Sequence, residues 1–302
     1  MQAKPFLKWA GGKSRLLPEI KKLLPINFEN KNITYIEPFV GGGSVLFWML
    51  NNYSNIERII INDINSDLIN TYKVIKKFPN ELIEILKVYQ EKFYSFEKDK
   101  DSRKEFYMNQ RSLFNLRSSD NLTQAALFIF LNRTCFNGLY RVNKNNNFNV
   151  PIGSYITPLI CDEVNILNVS KMLKKVKILC GDYNKCLKYV DDQTLFYLDP
   201  PYKPINKVSS FNYTHTTFND NEQIRLRDFC KELDLKKCNW ILSNSDVRTK
   251  ENEDHFFDEL YSDYEINRVV VKRFINNNSN KKQLNELLIA NKVVEEVVLV
   301  HN

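Results

Sequence analysis

The sequence predicts an α/β protein, a mostly parallel sheet interrupted by a long, mainly helical insertion. Three observations predict it. Short runs rich in β-branched and aromatic residues alternate with helical patterns; the alternation stops between about residues 78 and 168; and a glycine-rich turn joins the first run to the first long helix.

Strand-like runs lie at 34–36, 58–62, 176–180, 194–198, 239–243, 265–271 and 286–290, with a last one at 293–300. Helical periodicity separates several of them, at 44–52, 67–76 and 221–233. Parallel neighbours need such crossovers, whereas the closing strands follow one another directly and read as an antiparallel edge. The stretch from 78 to 168 is amphipathic helix that turns into asparagine-rich sequence, "YRVNKNNNFNVPIGSY". The expected division is therefore residues 1–70 with 169–302 as one domain and 71–168 as an inserted second one. There is no internal repeat.

The totals are compatible with this. At 302 residues and 43% hydrophobic composition the chain can bury a full core. Its 6 cysteines form no C-x-x-C pair and its histidines number only 3, so neither a disulfide framework nor a zinc cluster is expected and no metal is assigned. The N-terminus shows no signal-peptide core, and the longest apolar run, "AALFIFL", is far short of a membrane span; a soluble, cytoplasmic protein with no membrane partner is expected. A net charge of +7 favours a polyanionic partner. No acid occurs between Asp120 and Asp162, where Arg133, Arg141 and Lys144 lie, nor between Glu265 and Glu286, which spans Arg268, Lys272, Arg273, Lys281 and Lys282. Such surfaces suit a phosphate backbone, because carboxylates would repel it.

"YIEPFVGGGSVLF" (residues 35–47) passes from strand through glycines to helix, a geometry that lets backbone approach a ligand. It is not the dinucleotide fingerprint, since Leu46 stands where G-x-G-x-x-G counted from Gly41 needs its third glycine. Asp63 ends the next strand, where a carboxylate can accept ribose hydroxyls. "GGKS" at 11–14 resembles the tail of a phosphate-binding loop, but Leu7 stands where that motif needs glycine and no strand precedes it.

"DPPY" (Asp199, Pro200, Pro201, Tyr202) ends the 194–198 run. Its prolines donate no hydrogen bond, so the corner is rich in acceptors: a carboxylate and nearby carbonyls, beside a flat ring. That suits a planar substrate with an exocyclic amine. Two acceptors drawing on its hydrogens free the nitrogen lone pair, each charge-assisted bond contributing about 1.5–3 kcal/mol. A methyl already activated on a sulfonium needs no enzyme nucleophile. Asp182, after the 176–180 run, can accept from a purine amine while Tyr183 packs on the ring; as a bland alternative it is the N-cap of a helix over 183–189.

With these residues in place, the chain resembles the Dam-like (D12 class) DNA adenine-N6 methyltransferases, most closely those that methylate GATC. "FLKWAGGK" (residues 6–13) is similar to the family's N-terminal motif, "IEPFVGGG" to its cofactor motif, "GDY" (residues 181–183) to its adenine-contact motif and "DPPY" to its catalytic motif; the order, with the insertion between cofactor and catalytic motifs, is that of the alpha group. The resemblance implies a Rossmann-like methyltransferase sheet carrying a DNA-recognition insertion with a β-hairpin. It implies S-adenosyl-L-methionine held by Trp9, Lys13, Phe39, Gly41, Asp63, Asp182, Tyr183 and Asp199, with catalysis by Asp199, Pro200, Pro201 and Tyr202. In the insertion it implies Phe136 and Asn137 near the gap left by a flipped adenine, Leu139 and Pro151 on thymine methyls, Arg141 on a guanine, and Lys8 on another base of the site. One departure is Ser154, where relatives commonly carry arginine, which leaves a neighbouring DNA contact open. The expected partner is double-stranded DNA, met by a monomer, with a separate cognate restriction endonuclease left open. The segment 203–218 is a candidate lid. Two alternatives stand beside this reading. Glutamine-N5 protein methyltransferases usually have Asn in place of Asp199 and lack the acid-free insertion; a non-catalytic DNA-binding protein with a vestigial cofactor fold would not transfer methyl groups.

Overall fold

The computed structural model describes residues 2–203, 218–248, 254–272 and 283–291. Its strands are β1 (Ile33–Glu37), β2 (Ile56–Ile61), β3 (Val176–Ile178), β4 (Thr194–Leu198), β5 (Asn239–Ser245), β6 (Glu265–Lys272) and β7 (Gln283–Ala290). They form one sheet in the order β3-β2-β1-β4-β5-β7-β6, parallel throughout except for β7, which runs antiparallel to both β5 and β6. The order reverses between β1 and β4, and open α/β sheets bind ligands at the carboxyl ends of the strands flanking such a reversal. The segment 293–300, expected as a strand, and residues 204–217 of the candidate lid lie outside the described residues.

Both sheet faces are buried, and side-chain alternation divides the core in two. Tyr35, Ile59, Ile61, Leu195, Tyr197 and Ile241 point into one cluster; Ile36, Ile60, Phe196, Leu198, Trp240 and Leu242 point into the other. The second cluster is covered by α8 (Asp220–Leu235) and α9 (Phe256–Leu260), through Leu226, Phe229, Leu233 and Phe257. The first continues without a break into the helical block.

Helices α1 (Leu17–Lys22), α2 (Ser44–Asn52) and α3 (Ser66–Lys77) lead into α4 (Pro79–Ser95), α5 (Lys100–Leu116), α6 (Asn121–Thr134) and α7 (Glu163–Leu173). Asparagine and aspartate side chains start most of them: Asn65, Asp99, Asp120, Asp162 and Asn219 each accept a first-turn N–H. The amphipathic reading of the insertion fails at α6, which contains "AALFIFL" and is buried almost all round. It packs against α3, α4 and α5, with the rings of Tyr89, Phe93, Phe106 and Tyr107 around Phe130. A helix apolar on every side has to be enclosed.

The expected β-hairpin is a looser structure. Two isolated antiparallel bridges, Cys135–Ile152 and Val142–Phe148, join its arms without a continuous ladder. At its tip the Asn143 side-chain carbonyl accepts the N–H groups of Asn145 and Asn147, closing the turn, while the Asn143 N–H donates to the Asn147 carbonyl at 2.9 Å. The run expected at 176–180 shortens to Val176–Ile178 as the chain turns toward Gly181, whose φ is +126°. Among the described residues no helix is long and apolar enough to cross a membrane.

Candidate active site

The parallel strands deliver their following residues to one edge. Phe39 and Gly41 follow β1, Asp63 follows β2, Asp182 and Tyr183 follow β3, and Asp199 to Tyr202 follow β4. Lys13 enters from the N-terminal segment. It is 4% exposed, and its Nζ lies 2.7 Å from Asp199 Oδ2. It also donates to the Gly11 carbonyl and lies 4.6 Å from the centre of the Tyr202 ring. The other Asp199 oxygen accepts the Ser243 hydroxyl at 2.9 Å; since Ser243 spends its only proton there, Tyr197 must donate to Ser243, 3.1 Å away. Burial raises the Asp199 carboxyl above its ordinary value, against the pull of Lys13 and Ser243. Lys13 is the main influence favouring its ionised form.

The proline corner is held on its far side. Gln223 of α8 donates to the Pro201 carbonyl at 3.2 Å and is itself held by Asn244 of β5. Tyr202 donates its hydroxyl to Glu286 of β7 at 2.9 Å. The Pro200 carbonyl meets no donor among the described residues, so it and the Asp199 carboxylate are the acceptors the corner can offer outward.

The glycine turn is shaped by aromatic side chains as much as by any ligand. Gly41 has φ +48°, and a Cβ there would lie 2.9 Å from the Trp9 indole nitrogen; at Gly43, φ +75°, it would lie 2.6 Å from the Tyr72 hydroxyl. Trp9 fills this space from one side and stacks on Tyr140, 5.6 Å between centroids at 21°. Asp63 accepts the Gly41 N–H at 3.0 Å and the Asn65 N–H at 2.9 Å, one on each oxygen, leaving further lone pairs. Burial pushes its carboxyl up to about 6 in spite of these bonds. Tyr183 packs 5.2 Å from Phe39, and its buried hydroxyl meets no partner among the described residues. Asp182 both caps the following turn, accepting the Asn184 N–H at 3.0 Å, and forms a two-point pair with Arg225 at 2.8 and 2.9 Å. Burial pushes the Asp182 carboxyl up, but Arg225, the Asn184 N–H and Lys185 together hold the group below its ordinary value.

The insertion residues are brought together by a buried amide. Asn132, near the end of α6, donates to the carbonyls of Lys8 and Gly138 and accepts the Lys8 N–H at 2.8 Å. That joins Lys8 to the loop carrying Phe136, Asn137 and Leu139, and the Phe136 N–H reaches the Pro151 carbonyl at 2.9 Å. Phe136, Asn137 and Pro151 are exposed, the first at 50%, and Asn137 is left-handed at φ 54°. Arg141 is exposed, its Nε held by the Asn149 side chain at 2.7 Å. Ser154 is exposed as well.

Not every base of the acid-free segments faces outward. Arg133 turns inward to the Phe6 carbonyl, and Arg268 is consumed by Asp258 at 2.6 Å and Asp246 at 3.2 Å. Arg273, Lys281 and Lys282 lie outside the described residues. Sequence reasoning did not single out Ser243, Glu286, Gln223, Arg225 or Asn132. It also passed over Glu37, buried and hydrogen-bonded by Tyr35 at 2.7 Å, whose carboxyl burial holds far above the usual range. The visible signals were a polar pair, Ser243-Asn244, at the end of an apolar strand, and a lone acid inside "NELLIA".

Residues 9–275 match the family described as D12 class N6 adenine-specific DNA methyltransferase. Among curated proteins the chain is 50% identical over 297 residues to the type II methyltransferase M.MjaIII of Methanocaldococcus jannaschii, covering 96% of this chain and all of that one. It is 35% identical to the DNA adenine methylase of Haemophilus influenzae, over 96% of this chain and 94% of that one, and 34% identical to that of Escherichia coli K12, over 94% and 93%. The motifs those matches span are the ones the fold gathers at a single sheet edge, and on both counts the chain belongs to the D12 class of N6 adenine-specific DNA methyltransferases.

Proposed function

We propose that this enzyme uses S-adenosyl-L-methionine to methylate N6 of an adenine flipped out of double-stranded DNA, with GATC as its site. The observation that carries the reading is the corner after β4: a carboxylate paired with Lys13 at 2.7 Å, an adjacent carbonyl with no donor among the described residues, and a ring fixed beside them. When bound, the cofactor supplies a methyl activated on a positively charged sulfur. The residues present suit such a group. Asp63 keeps lone pairs for ribose hydroxyls, Tyr183 and Phe39 offer aromatic packing for a purine, and Asp182 stands beside them as an acceptor. Trp9 and Gly41 shape the turn against which it would lie.

Asp199 and the Pro200 carbonyl would accept the two N6 hydrogens and Tyr202 would stack on the base. The adenine has to leave the helix first, because its amine is paired and stacked inside a duplex. Residues 1–70 and 169–302 would hold cofactor and target base, and 71–168 would read the DNA. There Phe136 and Asn137 would stand at the vacated position, Leu139 and Pro151 against thymine methyls, Lys8 on a further base and Arg141 on a guanine. Asn149 supports that last role, since by holding Nε it leaves the outer edge of the guanidinium for O6 and N7. The enzyme would act as a monomer in the cytoplasm, and a separate endonuclease cutting the same site is the partner its product would block.

Expression in cells lacking DNA methylation, followed by mapping of N6-methyladenine in the genomic DNA, tests this. The expected result is modification at GATC; modification confined to a longer site would revise the specificity, and absence of methyladenine would overturn the reading. Arg141→Ala should cost about 1–3 kcal/mol of discrimination at one guanine, read from relative rates on duplexes with that base pair exchanged. Unchanged preference would remove Arg141 from recognition.

Asp63 gives a pH prediction. Its folded value, about 6, lies above the ordinary 3.8, so protons are bound preferentially by the folded state. Taken alone it makes the cofactor-free fold less stable as pH rises from 3.8 to about 6. Cofactor binding should respond in the opposite sense, because the ionised carboxylate is the better acceptor. Calorimetric affinity should fall below pH 6, by up to about tenfold per unit, and Asp63→Asn should flatten the profile.

A further inference from the structure

Two side chains from the carboxyl half of the chain reach the proline corner from strands beyond β4. Ser243 is one and holds Asp199. The other is Glu286, on the antiparallel strand β7, paired in register with Ser245 of β5 and Val269 of β6. Glu286 is 6% exposed. A carboxylate that deeply buried costs several kcal/mol unless it is well hydrogen-bonded, and it adds negative charge beside Asp199, where it works against ionisation of that group. For the sheet alone an apolar residue would serve better, like its neighbours Leu287 and Leu288. Among the described residues Glu286 accepts the Tyr202 hydroxyl at 2.9 Å.

Tyr202 follows two prolines and is half-buried, with the Lys13 ammonium near its ring. Its own backbone lies outside any strand or helix, so the ring plane is set by what grips its far end. Burial, together with the charges of Asp199 and Glu286, keeps the phenol protonated, so it remains a donor.

We propose that Glu286 is a positioning residue for methyl transfer: by accepting the Tyr202 hydroxyl it fixes the plane on which the target adenine stacks, and so sets N6 against Asp199 and the Pro200 carbonyl. This rests on the stacking role given to Tyr202 above. Glu286 acts on Tyr202 through the hydrogen bond that reaches the proline corner from β7, which gives the antiparallel edge a part in orienting the base.

The test compares Glu286→Leu, Glu286→Gln, Tyr202→Phe and the double variant Glu286→Leu/Tyr202→Phe with wild type. Single-turnover methylation is measured on saturating duplex and cofactor, and a second duplex carries 2-aminopurine at the target position. Glu286→Leu should slow methyl transfer by about 10- to 100-fold, the scale of a small misplacement, while cofactor and DNA affinities stay near wild type. Tyr202→Phe should slow it equally, the double variant should be no worse than either single change, and Glu286→Gln, which keeps an acceptor, should recover most of the rate. The 2-aminopurine probe should be brighter in Glu286→Leu than in wild type, reporting a base extruded but not stacked. A purely structural role would lower melting temperature without that optical change. Wild-type rates in both Glu286→Leu and Tyr202→Phe, or additive losses in the double variant, would overturn the proposal. If Glu286→Leu does not fold, Tyr202→Phe decides by itself: a rate like wild type refutes the role. Failure of wild type to methylate adenine would instead overturn the function on which this rests.

Discussion

Asp199→Ala should lose methyl transfer while still binding DNA. The carboxylate is one of two outward acceptors at the corner, and removing one preorganised partner of a reacting group costs about 2.7–4 kcal/mol, a factor of 10²–10³ in rate. The loss should reach this scale or exceed it, because the substitution also strands Lys13, 4% exposed and 2.7 Å from the missing oxygen. Single-turnover methylation with labelled cofactor measures the rate, and gel-shift titration with a GATC duplex measures binding. Near-wild-type turnover would remove Asp199 from the chemistry. Loss of DNA binding in a variant that still melts cooperatively would show that the corner acts before the base is presented.

Lys13→Met should have the largest effect on folding. It takes one partner from a mostly buried pair, a change that typically costs about 3–5 kcal/mol. The Asp199 carboxyl limits the cost by taking up a proton, since burial already raises it and Lys13 is the main influence lowering it. That protonation has a catalytic consequence. A neutral carboxyl presents a donor where the substrate amine needs an acceptor, so the variant should be nearly inactive near neutrality. Activity should return partly as pH rises and Asp199 ionises, with the wild-type rate much flatter over the same range. Urea denaturation and pH–rate profiles of the two proteins check both halves. Wild-type stability together with an unshifted profile would mean that the pair contributes little.

Much of this molecule was legible from local pattern. The 44–52 helix, the 194–198 strand and the short helix over 183–189 appear at those bounds, and the other expected strands and helices that fall on described residues differ at their ends. Apart from Trp9 and Lys13, which come from the N-terminal segment, the residues named for cofactor and catalysis follow β1, β2, β3 and β4, because parallel strands return each carboxyl end to the same edge. Where local pattern misled, a tertiary or side-chain effect decided. Helix α6 reads as one member of an amphipathic series but is enclosed by its neighbours. The asparagine-rich segment does form the expected hairpin, the Asn143 and Asn149 N–H groups reaching the Asn147 and Arg141 carbonyls, though its arms meet at isolated bridges and not in a continuous ladder. Arg133 and Arg268 read as exposed bases and are instead tied to the Phe6 carbonyl and to two aspartates.

What the sequence by itself determined was the set of reacting groups: an acid, two prolines and a ring at the end of a strand, preceded by a glycine turn and its acid. Their types and spacing are local, and local spacing is enough to select an acceptor-rich corner. Only the tertiary structure decided how that corner is held. Lys13, Ser243, Gln223 and Glu286 come from the N-terminal segment, β5, α8 and β7, and they meet at residues 199–202 because β4 lies between β1 and β5, with β7 next in the sheet. None carries a local signature of that role, since each owes its partner to strand order, a property of the whole fold.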